Sequence, residues 1–323
     1  MSVNLARERI LVTGGAGFLG RQVVGKLIGQ GADWDRILVP RRRDHAAPGE
    51  LWVDLRDRAC TNDLFVTTEP SVVIHLAADC GGIQYNRANP GRLFHDNMAM
   101  GLNVIDCARL HQVKKIVVVG TVCAYPENPE LPFREADLWA GYPEPTNAYY
   151  GVAKRALAVM LAGYEKQYGL RSAYLLPANL YGPHDSFGPE RSHVIPAIIR
   201  KFCRAVDRGF KTVTLWGSGQ ATREFLHVDD CARAVVWAAK MPMGSVYPIN
   251  IGTGQEISIR ELAVWIASIV EFTGKIRWDR SKPDGQPARC LDTTRAEKLL
   301  KFKASIPLHQ GIKQTIKWWR GQE

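Results

Sequence analysis

The chain reads as an α/β protein, a doubly wound parallel sheet with a smaller α/β substrate domain towards the C-terminus. Three observations predict this. Short β-branched or apolar runs alternate with helix-length segments through the first half, which is the pattern of a parallel sheet covered by helices on both faces. The first of these runs leads into a glycine turn that opens a helix. Beyond about Asn179 the texture changes to loops rich in Pro, Gly and His between shorter elements, the mark of a second, smaller unit.

In order, residues 10–13 form the first strand, Gly14 to Gly20 the turn, and Val23, Val24, Leu27 and Ile28 one apolar helix face. Further strands are predicted over 37–39, 72–76, 116–119 and 173–176, with helices over 97–110 and 149–168. Ser258 and Glu261 make a capping box for a helix whose face is Ile259, Leu262, Ala263, Ile266, Ile269 and Val270. A last helix buries Leu308, Ile312, Ile316 and Trp319 and serves packing. The expected partition is a dinucleotide domain over 1–178 with about 226–252, and a substrate domain over 179–225 and 253–323.

The 323 residues are 46% hydrophobic and 23% charged, which excludes disordered, collagen-like and coiled-coil classes. A formal charge of +10 favours an anionic partner: nucleic acid, a membrane surface or a phosphorylated small molecule. Seven cysteines without a CxxC pair indicate a reducing compartment. No apolar window approaches a membrane span and the N-terminus does not resemble a signal peptide, so a cytoplasmic protein is expected. No Cys, His and acid cluster has ligand spacing, and no metal is expected.

Gly14, Gly17 and Gly20 follow a strand and open a helix, where backbone N–H groups and the helix dipole receive a pyrophosphate. This is the Rossmann arrangement. At the end of the second strand stand Arg41, Arg42 and Arg43, then Asp44. Arginine suits a 2′-phosphate and an acid suits the ribose hydroxyls, so NADP is favoured over NAD while Asp44 leaves the latter open. Asp54 is placed to accept from the adenine amino group, with Leu55 packed on the ring. Tyr150 and Lys154 are four apart in a helix and share a face. The ammonium is expected to draw the phenol down from its ordinary pKa of about 10 towards the range of acid–base chemistry. Thr121 follows the 116–119 strand and could place a hydroxyl near a carbonyl substrate at that pair.

These residues resemble the extended short-chain dehydrogenase/reductases, and among them the GDP-L-fucose synthases. The matching runs cover most of the chain: TGGAGFLG at 13–20, HLAADCGGI at 75–83, GTVCAYP at 120–126, YYGVAK at 149–154, PANLYGPHDSF at 177–187, SHVIPAIIRK at 192–201, WGSGQATREFLHVDD at 216–230 and KPDGQPARCLD at 282–292. The resemblance implies a 3,5-epimerase and NADPH-dependent 4-reductase acting on a GDP-4-keto-6-deoxyhexose. It assigns Cys123 as base, His193 as acid on the opposite face, and Thr121, Tyr150 and Lys154 to the carbonyl and the nicotinamide ribose. By residue type alone, Cys123 fits an inert core position equally well, and a histidine such as His193 is more often structural than catalytic. His75, under the cofactor, and His184, on a loop, are read as structural. The resemblance adds Phe18, Leu19, Leu76, Ala77, Ala78, Pro177, Asn179 and Leu180 to the cofactor site. To the substrate site it assigns Asn179, His193, Lys201, Trp216, Arg223 and Lys282, with Arg223 on the diphosphate.

Thr121 stands where these enzymes usually have serine, and Ala124 where a larger aliphatic residue is usual, which opens the identity of the sugar. The other readings are an NAD(P)-dependent nucleotide-sugar epimerase or dehydratase that recycles its cofactor, and a non-enzymatic nucleotide- or RNA-binding protein. No nucleic acid is expected as partner, since Tyr150 and Lys154 are both intact. Analogy of fold implies a homodimer through a four-helix bundle, offering Ala99, Leu102, Val104, Ile105, Ala156, Leu157, Met160 and Leu161, although much of that surface could equally be the side facing the sheet.

Overall fold

The computed structural model describes residues 3–42, 51–242, 248–282 and 284–322. Its main sheet has six parallel strands in the order β2-β1-β3-β4-β5-β9: β1 Ile10–Thr13, β2 Ile37–Leu38, β3 Val72–His75, β4 Lys115–Val119, β5 Ser172–Pro177 and β9 Ile249–Ile251. The strands β1, β3, β4 and β5 are buried at every residue, as strands covered on both faces must be. Helices α1 Phe18–Gly29, α2 Arg58–Thr68, α3 Ile83–Ala88, α4 Pro90–Leu110, α5 Ala148–Tyr168 and α7 Val228–Lys240 accompany this sheet. The second lobe holds a three-stranded sheet in the order β10-β8-β6 and a two-stranded sheet β11-β7. Its strands are β6 Asn179–Tyr181, β7 Thr212–Trp216, β8 Thr222–His227, β10 Glu256–Ser258 and β11 Lys275–Asp279, with helices α6 Val194–Asp207, α8 Ile259–Ile269 and α10 Leu308–Arg320.

Two apolar cores result. The first surrounds the main sheet, and the second gathers Ile195, Ile199, Phe202, Leu215, Phe225, Leu262, Ile266, Ile312 and Ile316. Helix α9 Thr294–Leu300, within the stretch assigned to the substrate domain, sends Ala296 and Leu300 into the first core together with Leu291 and Phe302.

Several elements differ from the sequence reading. Strand β4 starts at Lys115, whose stem is buried and whose ammonium donates to the Ser172 carbonyl at 3.2 Å. Helix α4 starts seven residues before the predicted 97, with Pro90 in its first turn, where a missing N–H costs nothing. Ile28 is 43% exposed rather than on the buried face of α1. Of the residues assigned to an inter-subunit bundle, Val104, Ile105, Leu157 and Leu161 are buried in the chain's own core, because α4 and α5 pack on one another where Gly101 meets Leu157. The capping box forms as read: Ser258 Oγ accepts from the Glu261 N–H, and the Glu261 carboxylate accepts from the Ser258 N–H, both at 3.1 Å.

One buried carboxylate joins the lobes. Glu224 in β8 is 1% exposed. Its Oε1 accepts from the N–H groups of Thr253 at 2.5 Å and Gly254 at 2.9 Å, in the turn after β9, and its Oε2 accepts from the Leu291 N–H at 2.7 Å. Glu224→Gln turns one acceptor into a donor that faces donors. The expected cost is about 1–3 kcal/mol for the N–H left unpaired, read as a lower midpoint in urea unfolding; an unchanged midpoint refutes this role.

Candidate active site

A cleft of about 1,210 Å³ runs past the C-terminal ends of the parallel strands and between the two lobes, the usual ligand position in such sheets. All predicted site residues within the described chain line it except Lys282. Arg43 and Asp44 lie outside the described residues.

The turn after β1 is built by close approach. Gly14 has φ +72°, and a Cβ there would lie 2.8 Å from the Ala77 backbone N; a Cβ on Gly20 would strike the Gly14 carbonyl. Only glycine fits either place. Gly17 caps α1, leaving the backbone N–H groups of its first turn open to the cleft beside Phe18 and Leu19, a cradle that fits a pyrophosphate. Beyond β2, Arg41 exchanges backbone hydrogen bonds with Leu51 and Val53 at 2.9 and 2.8 Å, which brings Arg42 near Asp54. Asp54 is itself held by Arg56, at 2.9 Å from Nε and 2.7 Å from Nη2, and this pairing keeps its pKa low. Arg56 is a cleft residue that sequence reasoning missed.

After β4, the Thr121 side chain caps the short helical turn 122–124, its Oγ1 accepting from the Cys123 N–H at 3.1 Å. Helix α5 packs directly on this turn: a Cβ on Gly151 would strike the Cys123 carbonyl. Tyr150 is thereby set beside Cys123, with its phenol hydrogen-bonded to Thr121, and Lys154 follows one turn later. Lys154 is 2% exposed, and desolvation lowers its pKa to about 8 against the opposing pull of Cys80. The expectation for the phenol is corrected. Burial first, then the neighbouring Cys80 and Cys123, push Tyr150 well above its ordinary value, outweighing the Thr121 hydrogen bond. It rests as a phenol, the form that donates a proton.

The facing wall comes from the second lobe. His193 is the N-cap of α6, and desolvation lowers its pKa. Arg223 in β8 donates to the carbonyls of Thr222 at 2.7 Å and Asp284 at 3.1 Å; desolvation, then Arg289, lowers its pKa to about 10. Trp216, 52% exposed at the end of β7, has the Lys201 and Lys282 ammonium groups 6.0 and 5.6 Å from its ring centroid. Asn179 spends its amide on the Glu224 carbonyl at 2.9 Å. Two further cleft residues escaped the sequence reading although they sit in quoted runs: Cys80, and Arg289, whose Nη1 lies 3.5 Å from Cys123 Sγ. His184 packs against Trp318 with ring centroids 4.9 Å apart. Among the described residues no group of three or more His, Cys, Asp or Glu is placed to hold a metal ion, and no helix is long and apolar enough to cross a membrane.

A family model described as "NAD dependent epimerase/dehydratase family" matches residues 10–252. GDP-L-fucose synthase of Escherichia coli is 36% identical, with 98% of this chain and 97% of that protein covered. Among solved structures, a GDP-6-OMe-4-keto-L-xylo-heptose reductase from C. jejuni superposes with a TM-score of 0.89 at 28% identity, covering 100% of both chains. A GDP-L-fucose synthetase from Naegleria fowleri bound to NADP gives 0.85 at 29% identity, covering 100% of this chain and 95% of that one.

His75 closes β3 beneath this site, fully buried, its Nδ1 2.8 Å from Thr13 Oγ1. Desolvation, then the Lys154 charge, lowers its pKa to about 3. In the unfolded chain the imidazole takes up a proton near pH 6.5, whereas in the folded chain it does so only near 3. Its contribution is complete above about 6.5 and is lost as pH falls towards 3, at a limiting slope of about 1.4 kcal/mol per pH unit. Urea unfolding at pH 7, 6 and 5 is expected to show a shallower loss for His75→Gln than for the parent; equal slopes contradict this.

Proposed function

Since the chain belongs to the NAD dependent epimerase/dehydratase family and groups there with the GDP-L-fucose synthases, we propose that it is a bifunctional enzyme of GDP-4-keto-6-deoxy-D-mannose, or a close relative. It inverts C3 and C5 and reduces C4 with NADPH, giving GDP-L-fucose. The observation that carries this reading is the meeting of a thiol, a phenol and an imidazole in one cleft: Cys123 and Tyr150 from the sheet side, His193 from the second lobe.

The Gly14 to Gly20 cradle takes the pyrophosphate of the dinucleotide, Arg41 and Arg42 face the 2′-phosphate, and Asp54 and Leu55 face the adenine. Bound there, NADPH supplies the hydride that reduces the C4 carbonyl. Arg223 pairs with the diphosphate of the sugar nucleotide, and Trp216, Lys201 and Lys282 serve its nucleotide end. The C4 carbonyl acidifies the hydrogens at C3 and C5. Cys123 as thiolate takes such a proton: the S–H bond forms, the C–H bond breaks, and its electron pair moves to the C4 oxygen. Thr121 and Tyr150 donate hydrogen bonds to that oxygen. Protonated His193 returns a proton to the opposite face, and thiol and imidazole re-equilibrate with water. In the reduction Tyr150 gives its phenolic proton to the C4 oxygen, and Lys154 holds the phenol and the nicotinamide ribose.

Incubation with the 4-keto sugar in heavy water is expected to place deuterium at C3 and C5. Cys123→Ser and His193→Asn are expected to slow this by about 10²- to 10⁴-fold. NADPH oxidation without deuterium would instead identify a reductase alone, the activity named for the heptose enzyme of matching fold.

All seven cysteines are free thiols, in keeping with work in the cytoplasm. We also place a homodimer on α4 and α5, through Phe94, Leu102, Tyr149 and Val159, which are 41%, 42%, 48% and 58% exposed. Sedimentation is expected to give a dimer that Leu102→Glu with Val159→Glu converts to a monomer; a monomeric parent refutes the interface.

A further inference from the structure

Residues 286–291 lie along β8, with Thr222 N–H donating to the Pro287 carbonyl at 2.9 Å and Glu224 N–H to the Arg289 carbonyl at 3.0 Å. This sends the Arg289 side chain inward, where the residue is 7% exposed. Its Nε donates to Gln286 Oε1 at 2.6 Å, and Gln286, equally buried, donates through Nε2 to the Glu127 carbonyl at 2.6 Å. Glu127 lies four residues after Cys123. The guanidinium is thus tied to the segment that carries the thiol, and its Nη1 reaches Cys123 Sγ at 3.5 Å.

A buried cation needs an anion. Among the described residues no carboxylate forms an ion pair with Arg289. Its acidic neighbour Glu144 already accepts from Thr146 and Asn147, at 2.5 and 2.8 Å through the same oxygen, and at 3.1 Å through the other. Other titratable groups that face Cys123 include Arg223 from the second lobe, with Tyr150 and Cys80 from the sheet side.

We propose that Arg289 is a positioning residue for epimerisation: its buried guanidinium, locked through Gln286, orients the Cys123 sulfur and supplies the counter-charge of the thiolate. The contact exists without substrate, which separates this role from the diphosphate pairing given to Arg223. The inference rests on Cys123 being the base. As base the sulfur must lose its own proton to water before it takes one from carbon, and a guanidinium N–H 3.5 Å away is placed to donate to the sulfur in that form.

The test uses the full chain and two readouts. Without sugar, iodoacetamide alkylation of Cys123 at pH 7 is followed by peptide mass spectrometry, with Cys80 as internal reference. Arg289→Gln is expected to slow Cys123 about 10- to 100-fold, the range of a charge-assisted hydrogen bond, and to leave Cys80 unchanged, while Arg289→Lys restores most of the rate. With sugar in heavy water, Arg289→Gln is expected to lower kcat for exchange at C3 and C5 more than it raises KM. Unchanged alkylation with only KM raised overturns the proposal and gives Arg289 to the diphosphate. If Arg289→Gln does not fold, Gln286→Leu releases the lock and is expected to slow alkylation in the same direction; a parental rate there also overturns it. A parent that incorporates no deuterium removes the epimerase reading, and the alkylation result still decides the Arg289–Cys123 pair.

Discussion

The second-lobe wall of the cleft depends on a buried carboxylate that does not itself line it. Glu224 collects backbone N–H groups from the turn after β9 and from Leu291, so that a strand of the second lobe, the edge of the main sheet and the 286–291 segment share one buried anion. Such a group is expensive to desolvate, and only its full set of hydrogen bonds makes the arrangement favourable. Its neighbour in sequence is Arg223, its backbone pairs with that of Arg289, and Asn179 donates to its carbonyl. The side chain of Glu224 thus ties the lobes together, while its backbone aligns the strand that carries Arg223 with Arg289 and Asn179.

Burial also sets the proton chemistry. In this cleft the phenol of Tyr150 is raised, while the ammonium of Lys154 and the imidazole of His193 are lowered, each by desolvation first. Every one of these shifts favours the neutral form. A neutral phenol is a proton donor ready for an oxygen that acquires charge, and an imidazole of lowered pKa gives up a proton readily once it is charged. The hydroxyl of Thr121 accepts from the Cys123 N–H and is hydrogen-bonded to the same phenol, which fixes the two hydroxyls side by side. The excess of positive charge in the composition finds part of its place here, in Arg41, Arg42, Arg223 and Arg289 along one cleft.

Much of this was legible in the residues themselves. The strands of the main sheet announce themselves as β-branched runs because they are covered on both faces, and the spacing of Gly14, Gly17 and Gly20 follows from contacts that admit no Cβ. Tyr150 and Lys154 share a face because a helix repeats every 3.6 residues. Less legible were features with no local period. Pro90 opens a helix that its own pattern begins only later, and Lys115 enters a strand because a carbonyl on the neighbouring strand receives its ammonium. The apolar residues of α4 and α5 carry no label that tells the chain's own core from a surface; packing decides that Val104 and Leu157 are inside and Leu102 and Val159 outside.

The sequence by itself determined the doubly wound sheet, the glycine turn and the shared face of Tyr150 and Lys154, because each of these is written in short-range spacing and residue type. Only the tertiary structure decided which charges those groups meet. Arg289 reaches Cys123 across 166 residues of chain and Gln286 reaches Glu127 across 159, while the direction of the Tyr150 shift depends on how much protein surrounds it. Desolvation and long-range pairing are properties of the packed volume, and no local pattern records them.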